Sequence, residues 1–182
     1  ARLIGSELME EAVRALAKRL PRLSRDRGYL ELVAELGPRW IKPLAKIMAM
    51  GDRSAGPGCK LDGAYRQYSL PKKSGGNRTI SVPSPVLKSI QRRILNTVFA
   101  SLQKHEAAFG FTPGRSIVEN AAMHVGQQVV VNCDVQDCFP SVRWPLVLGV
   151  IREDLAKRLS PAAISILVDI CTMKGALPIG AP

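Results

Sequence analysis

VVVNCDVQDCFPSV, residues 129–142, sets three β-branched residues ahead of two carboxylates. Val129, Val130 and Val131 read as a buried strand, because branched side chains suit a pleated, packed surface. A buried strand that runs into Asp134 and Asp137 needs a cation to meet them, since an unpaired carboxylate is costly to bury. The two aspartates share one site only if the chain bends between them, and Pro140 predicts that bend. Two cations fit. An arginine would make the acids structural; a divalent metal such as Mg²⁺ takes carboxylate oxygens and keeps places for substrate phosphates.

The surrounding composition favours a phosphate-bearing partner. Lys and Arg total 26 against 15 Asp and Glu, a formal net charge of +11 over 182 residues. Such an excess suits a polyanion or an anionic membrane surface, and on charge alone a basic protein without either partner stays open. With 46% hydrophobic residues the chain can bury a core as one domain or two subdomains, which excludes a disordered tail. No apolar run approaches the ~18 residues of a membrane span. Cys59, Cys133, Cys138 and Cys171 lack CxxC pairing, so a reduced, intracellular protein without a zinc site is expected.

Before the valine run the pattern is helical, then hairpin, then helical. Ser6 is the expected cap of a first helix that Pro21 stops, YLELVAEL is a second helix ending at Gly37-Pro38, and a third follows through RWIKPLAKIMAM. AYRQYSL and RTISV read as two strands joined by PKKSGGN, whose glycines allow a tight reversal. Lys72, Lys73 and Arg78 gather at that tip, where they either face solvent or grip a phosphate chain. Ser84 and Pro85 open a long helix expected over 85–104. Val86, Leu87, Ile90, Ile94, Leu95, Val98, Phe99 and Leu102 form its apolar stripe, while Lys88, Arg92 and Arg93 form a basic face able to track a nucleic-acid backbone. In GFTPGRSIVENA, residues 110–121, Gly114 closes a turn that presents Arg115, and Ser116 with Glu119 forms a capping box.

Taken in order, YSLPKKSGGNRTISVPSPVLKSIQRRIL, AAFGFTPGRSIVENAAMH, VVVNCDVQDCFPSV and GALPIGAP resemble successive sequence blocks of bacterial reverse transcriptases, among them retron-type enzymes and their group II intron, CRISPR-associated and phage-defence relatives. The resemblance covers residues 65–182. It implies an α+β fold made of the fingers and part of the palm of a right-hand polymerase: residues 1–64 as a helical N-terminal extension, 65–127 as fingers, and 128–182 as partial palm ending within the GAP block. It implies a bacterial cytoplasmic enzyme for RNA-directed DNA synthesis. Its partners would be an RNA template, an RNA or DNA primer and dNTPs, with no membrane, and it would use two Mg²⁺ ions or Mn²⁺ in their place.

Residue by residue, Asp134 matches the family's first catalytic metal aspartate, with the carbonyl of Val135 as a second ligand. Lys72 and Arg78 match the fingers residues that grip the incoming triphosphate. Phe139 stands where an aromatic ring blocks a 2′-hydroxyl, and Asp137, Cys138 and Phe139 would line the nucleotide through backbone amides. Gly114 and Arg115 fall at the template contact, Lys73, Lys88, Arg92 and Arg93 on the nucleic-acid side, and Gly180, Ala181 and Pro182 at the start of the block that supports primer and nucleotide. Ile179 stands where many relatives carry Gln, and Ala108 where His or Tyr often precedes GF. The family's Tyr-x-Asp-Asp motif is absent from these residues. The expectation is a piece of a longer enzyme, or one half of a split enzyme whose second chain carries the rest of the palm and the thumb. Either would bind without catalysing alone. A non-catalytic nucleic-acid-binding or assembly module derived from a polymerase is the alternative.

Overall fold

The computed structural model describes residues 2–73 and 75–182, with side chains undescribed at residues 2–6, 8, 12 and 19. Ser74 in the hairpin tip and the side chain of Ser6, the expected cap, therefore lie outside the described residues. The first helix, α1, spans Arg2–Arg19 and so begins ahead of Ser6. Helices α2 (Arg27–Leu36) and α3 (Ile41–Met50) follow. Asp26 caps α2 by accepting the Tyr29 amide at 3.0 Å. No described helix is long and apolar enough to cross a membrane.

Strands β1 (Tyr65–Pro71) and β2 (Asn77–Pro83) pair antiparallel, Leu70 opposite Arg78 and Pro71 opposite Asn77. Helix α4 spans Pro85–Thr97, with Ser84 as its cap and Pro85 in its first turn. It stops short of the expected residue 104. The Thr97 hydroxyl turns back to the Arg93 carbonyl at 2.7 Å, competing with the helical ladder at its last turn. The apolar stripe is narrower than expected as well: Leu87, Ile90, Ile94 and Val98 are buried, whereas Leu95 is 50% exposed. Gln91 takes the remaining inward place, its Nε2 donating to the Tyr65 hydroxyl and the Ile170 carbonyl, both at 2.8 Å.

The chain forms two compact units. One comprises residues 1–100 and 137–182 and holds α1 to α4, the hairpin, α6 (Cys138–Ser141), α7 (Trp144–Leu155) and α8 (Pro161–Cys171). Its core lies among α2, α3, α4 and α8, where Leu32, Leu36, Leu44, Ile47, Ile164 and Leu167 are fully buried. Tyr29 joins them, donating its hydroxyl to the Ile41 carbonyl at 2.7 Å, and burial pushes its pKa up to about 12. The other unit, Ser101–Gln136, holds α5 (Ile117–Ala122), started by the expected capping box of Ser116 and Glu119.

The expected buried strand at Val129–Val131 does not form. Residues 129–135 have no regular structure, and Val129 and Val131 are 78% and 77% exposed. A strand exists by sharing a ladder with a neighbour, and the one sheet among the described residues pairs β1 with β2 alone. Branched residues without a partner strand have no pleated surface to pack on.

Candidate nucleotide and nucleic-acid site

The hairpin assembles the first group of predicted residues. Lys72 donates its amide to the Gly76 carbonyl at 3.0 Å, closing the turn through Gly75 and Gly76, both at positive φ. Arg78 stands opposite Leu70 near the end of the ladder and Lys72 directly follows the last residue of β1, so both cations lie at the turn end of the hairpin. Both are exposed, as is Lys73. Exposed Lys72, Lys73 and Arg78 thus concentrate positive charge at that end of the hairpin.

The turn 137–141 assembles the second. Asp137 adopts the left-handed conformation, φ 48° and ψ 41°, and its carbonyl accepts the Ser141 amide at 2.9 Å and the Ser141 hydroxyl at 2.8 Å. Aspartate is among the few residues that tolerate this region. The bend expected of Pro140 is thus made at Asp137, while Pro140 sits inside the first turn of α6, where a missing amide costs little. The Asp137 side chain makes no capping bond, Cys138 is exposed, and Phe139 leaves 44% of its surface open, too much for a core aromatic.

One short segment bonds both Val142, at the end of this turn, and the hairpin. The Leu177 amide donates to the Val142 carbonyl at 3.0 Å, and two residues on the Ile179 carbonyl accepts the Ser81 amide of β2 at 2.7 Å. Gly180 then passes so close to the hairpin that a β-carbon there would lie 2.7 Å from Ile80 Cγ2, at a φ of 104°. Residues 177–180 therefore link Val142, which directly follows α6, to β2 within one unit. Ala181 and Pro182 continue from Gly180 without regular structure.

Asp134 and Val135 lie in the irregular run 129–135 of the second unit and are exposed. None of the ion pairs among the described residues includes Asp134 or Asp137, so the arginine expected as one possible partner is not found there. Nor do three His, Cys, Asp or Glu side chains gather as a metal-holding group among the described residues. Mg²⁺ demands an octahedron of oxygens. Asp134 and the Val135 carbonyl fit the supply of part of one such shell, not a complete two-ion centre. In the same unit, Thr112-Pro113-Gly114-Arg115 forms a tight turn, the Arg115 amide donating to the Thr112 carbonyl at 3.2 Å with Gly114 at φ 78°. The Arg115 guanidinium rests 4.9 Å from the centroid of Phe109, which preorganises it.

Lys88 and Arg92 are one helical turn apart on α4, and Arg93 is anchored through its Nε to the Leu36 carbonyl at 3.0 Å. Trp40 lines the same groove as these three cations. Trp40 was not among the residues expected at a site, since a groove shared by a residue ahead of α3 and one face of α4 leaves no local signal in the sequence.

Residues 70–153 match the family described as reverse transcriptase (RNA-dependent DNA polymerase). The chain is 43% identical over 103 residues to the retron Mx162 reverse transcriptase of Myxococcus xanthus, covering 57% of this chain and 21% of that relative. It is 44% identical over 87 residues to the retron Mx65 reverse transcriptase of the same organism, covering 48% of this chain and 20% of that one. It is 37% identical over 123 residues to the retron Ec86 reverse transcriptase of Escherichia coli, covering 66% of this chain and 38% of that one. The chain thus spans about a fifth of the first two of these curated relatives and under two fifths of the third.

Proposed function

We propose that the chain belongs to the reverse transcriptase family, whose match spans residues 70–153, and that it carries the fingers and the first part of the palm of an RNA-directed DNA polymerase. The observation that carries this reading is that the matched stretch holds Lys72, Arg78, Asp134 and Phe139 together. On this reading residues 1–64 are a helical extension, 65–127 the fingers and 128–182 the partial palm of a bacterial cytoplasmic enzyme.

Lys72 and Arg78 hold the triphosphate of a dNTP, their common place at the turn end of the hairpin supplying two charge-assisted grips. The backbone of Asp137, Cys138 and Phe139 orients the sugar and phosphates. The Phe139 ring fills the space of a 2′-hydroxyl and so excludes ribonucleotides. Asp134 and the Val135 carbonyl contribute to the Mg²⁺ shell, and Mn²⁺ suits the same oxygens. A divalent ion there supplies charge neutralisation at the triphosphate and acidifies the primer 3′-hydroxyl. Arg115, Gly114 and the basic face of α4 meet an RNA template and its RNA or DNA primer, and Gly180, Ala181 and Pro182 support primer and nucleotide. One carboxylate does not hold two ions, so residues 1–182 alone bind RNA and dNTP without extending a primer. The remaining ligands come from further palm residues, of the same chain or of a second one.

Sugar selection tests the assignment. In an enzyme that contains this stretch and extends a primer, Phe139→Ala raises ribonucleotide incorporation by roughly tenfold or more while dNTP use persists. Unchanged sugar discrimination would make Phe139 a packing residue. A non-catalytic binding module is the second reading, favoured by the α4 groove, whose charged lining residues Lys88, Arg92 and Arg93 are all cationic; extension activity in the complete protein excludes it.

A further inference from the structure

Beside α4 lies a groove of ≈ 490 Å³ whose lining includes Trp40, Lys88, Ser89, Arg92, Arg93 and Asn96, with no acidic residue in it. The five α4 residues follow a helical repeat, so they form one continuous face. Lys88 and Arg92 are offset by about 6 Å along the axis, close to the step between neighbouring phosphates of an extended strand. The Arg93 Nε is committed to the Leu36 carbonyl, which fixes the guanidinium and leaves its terminal nitrogens for an anion. Trp40 is half-buried: the fold anchors it, yet it still offers surface to the groove. Ser89 and Asn96 are exposed and add neutral hydrogen-bonding groups.

A cationic track alone would accept any polyanion. An indole set in that track has a further use, because every base presents a π-face and stacking is tolerant of sequence. Duplex bases are already stacked on one another and withhold that face, and the hydroxyl and amide match the 2′-hydroxyl of RNA.

We propose that this groove binds single-stranded RNA, with a base stacked on Trp40, phosphates on Lys88, Arg92 and Arg93, and Ser89 and Asn96 bonding the sugar edge. The site adds Trp40 and a strand preference to the RNA-binding part of the proposed function, and it uses neither Asp134 nor Phe139.

Titration with a 12-nucleotide oligouridylate, read by tryptophan emission and by anisotropy of a labelled strand, tests it. The chain has two tryptophans, Trp40 and Trp144, so the quench must be assigned. The parent shows quenching on binding; Trp40→Phe abolishes the quench and keeps affinity within about threefold, because a phenyl ring still stacks; Trp40→Ala weakens binding about tenfold. Arg92→Gln lowers the slope of log affinity against log salt by about 0.7, the share of one phosphate on a single strand. Circular dichroism confirms that each variant is folded. A quench that survives Trp40→Phe, parental affinity in Trp40→Ala, or equal affinity for a duplex RNA of the same length would each overturn the site. Each would leave RNA-directed synthesis, tested through Phe139 and Asp134, untouched.

Discussion

Gly180 shows how much rests on a single backbone position. Its φ of 104° is one that L side chains rarely adopt, and an added β-carbon would meet Ile80 Cγ2 at 2.7 Å and the Ser81 carbonyl at 3.2 Å. Gly180→Ala therefore costs about 1–3 kcal/mol, from backbone strain and overpacking together, read as a fall in the urea midpoint. A parental midpoint would mean that the segment 177–180 is not held against β2. The role of Gly180 was not legible in the sequence, because the strand it crosses lies far away in the chain. The Asp137 bend was legible only in part. Its place was readable from the proline nearby, yet the left-handed turn fell to the aspartate, a choice that a proline with fixed φ cannot make.

At the scale of elements, local signals carried over and non-local ones did not. The capping box at Ser116, the cap at Ser84 and the glycine-turned hairpin are each decided within a few residues, and each was readable. The valine run was misread because a strand is decided by its partner. Helix α8 depends on a contact of the same hidden kind: Glu31, on α2, accepts the Ser160 amide at 2.9 Å at the start of α8 and the Arg27 Nε at 2.9 Å. Hydrogen bonds from Ser160, then from Arg27, hold the Glu31 carboxyl below the usual glutamate range. A depressed folded-state pKa adds stability that is present above the unfolded value and lost as pH falls through the folded one. Stability of the parent therefore declines from about pH 6 to about pH 3 more steeply than that of Glu31→Gln, followed by urea midpoints across that range. Parallel curves would remove Glu31 from the docking of α2 on α8.

At the scale of the molecule, the excess of 26 basic over 15 acidic residues has a direct consequence for the proposed RNA binding. Counterion release makes affinity fall linearly with salt on logarithmic axes, by a slope of about 0.7 for each phosphate met on a single strand. With about five phosphates engaged, affinity drops about a hundredfold between about 50 and about 200 mM salt. Equal binding across that range would remove nucleic acid as the reason for the charge. The central claim, that this chain contributes one catalytic carboxylate to a DNA-synthesising site, turns on Asp134, which is exposed and outside every ion pair among the described residues. The most direct measurement is primer extension on an RNA template by the complete enzyme carrying Asp134→Asn, beside Asp137→Asn and with RNA affinity measured in parallel. Asparagine keeps the shape and removes the charge that a divalent ion requires. Asp134→Asn is expected to abolish extension while RNA affinity persists, and Asp137→Asn, which alters a side chain that caps nothing, to leave DNA synthesis measurable. Extension by Asp134→Asn at the parental rate would contradict the central claim.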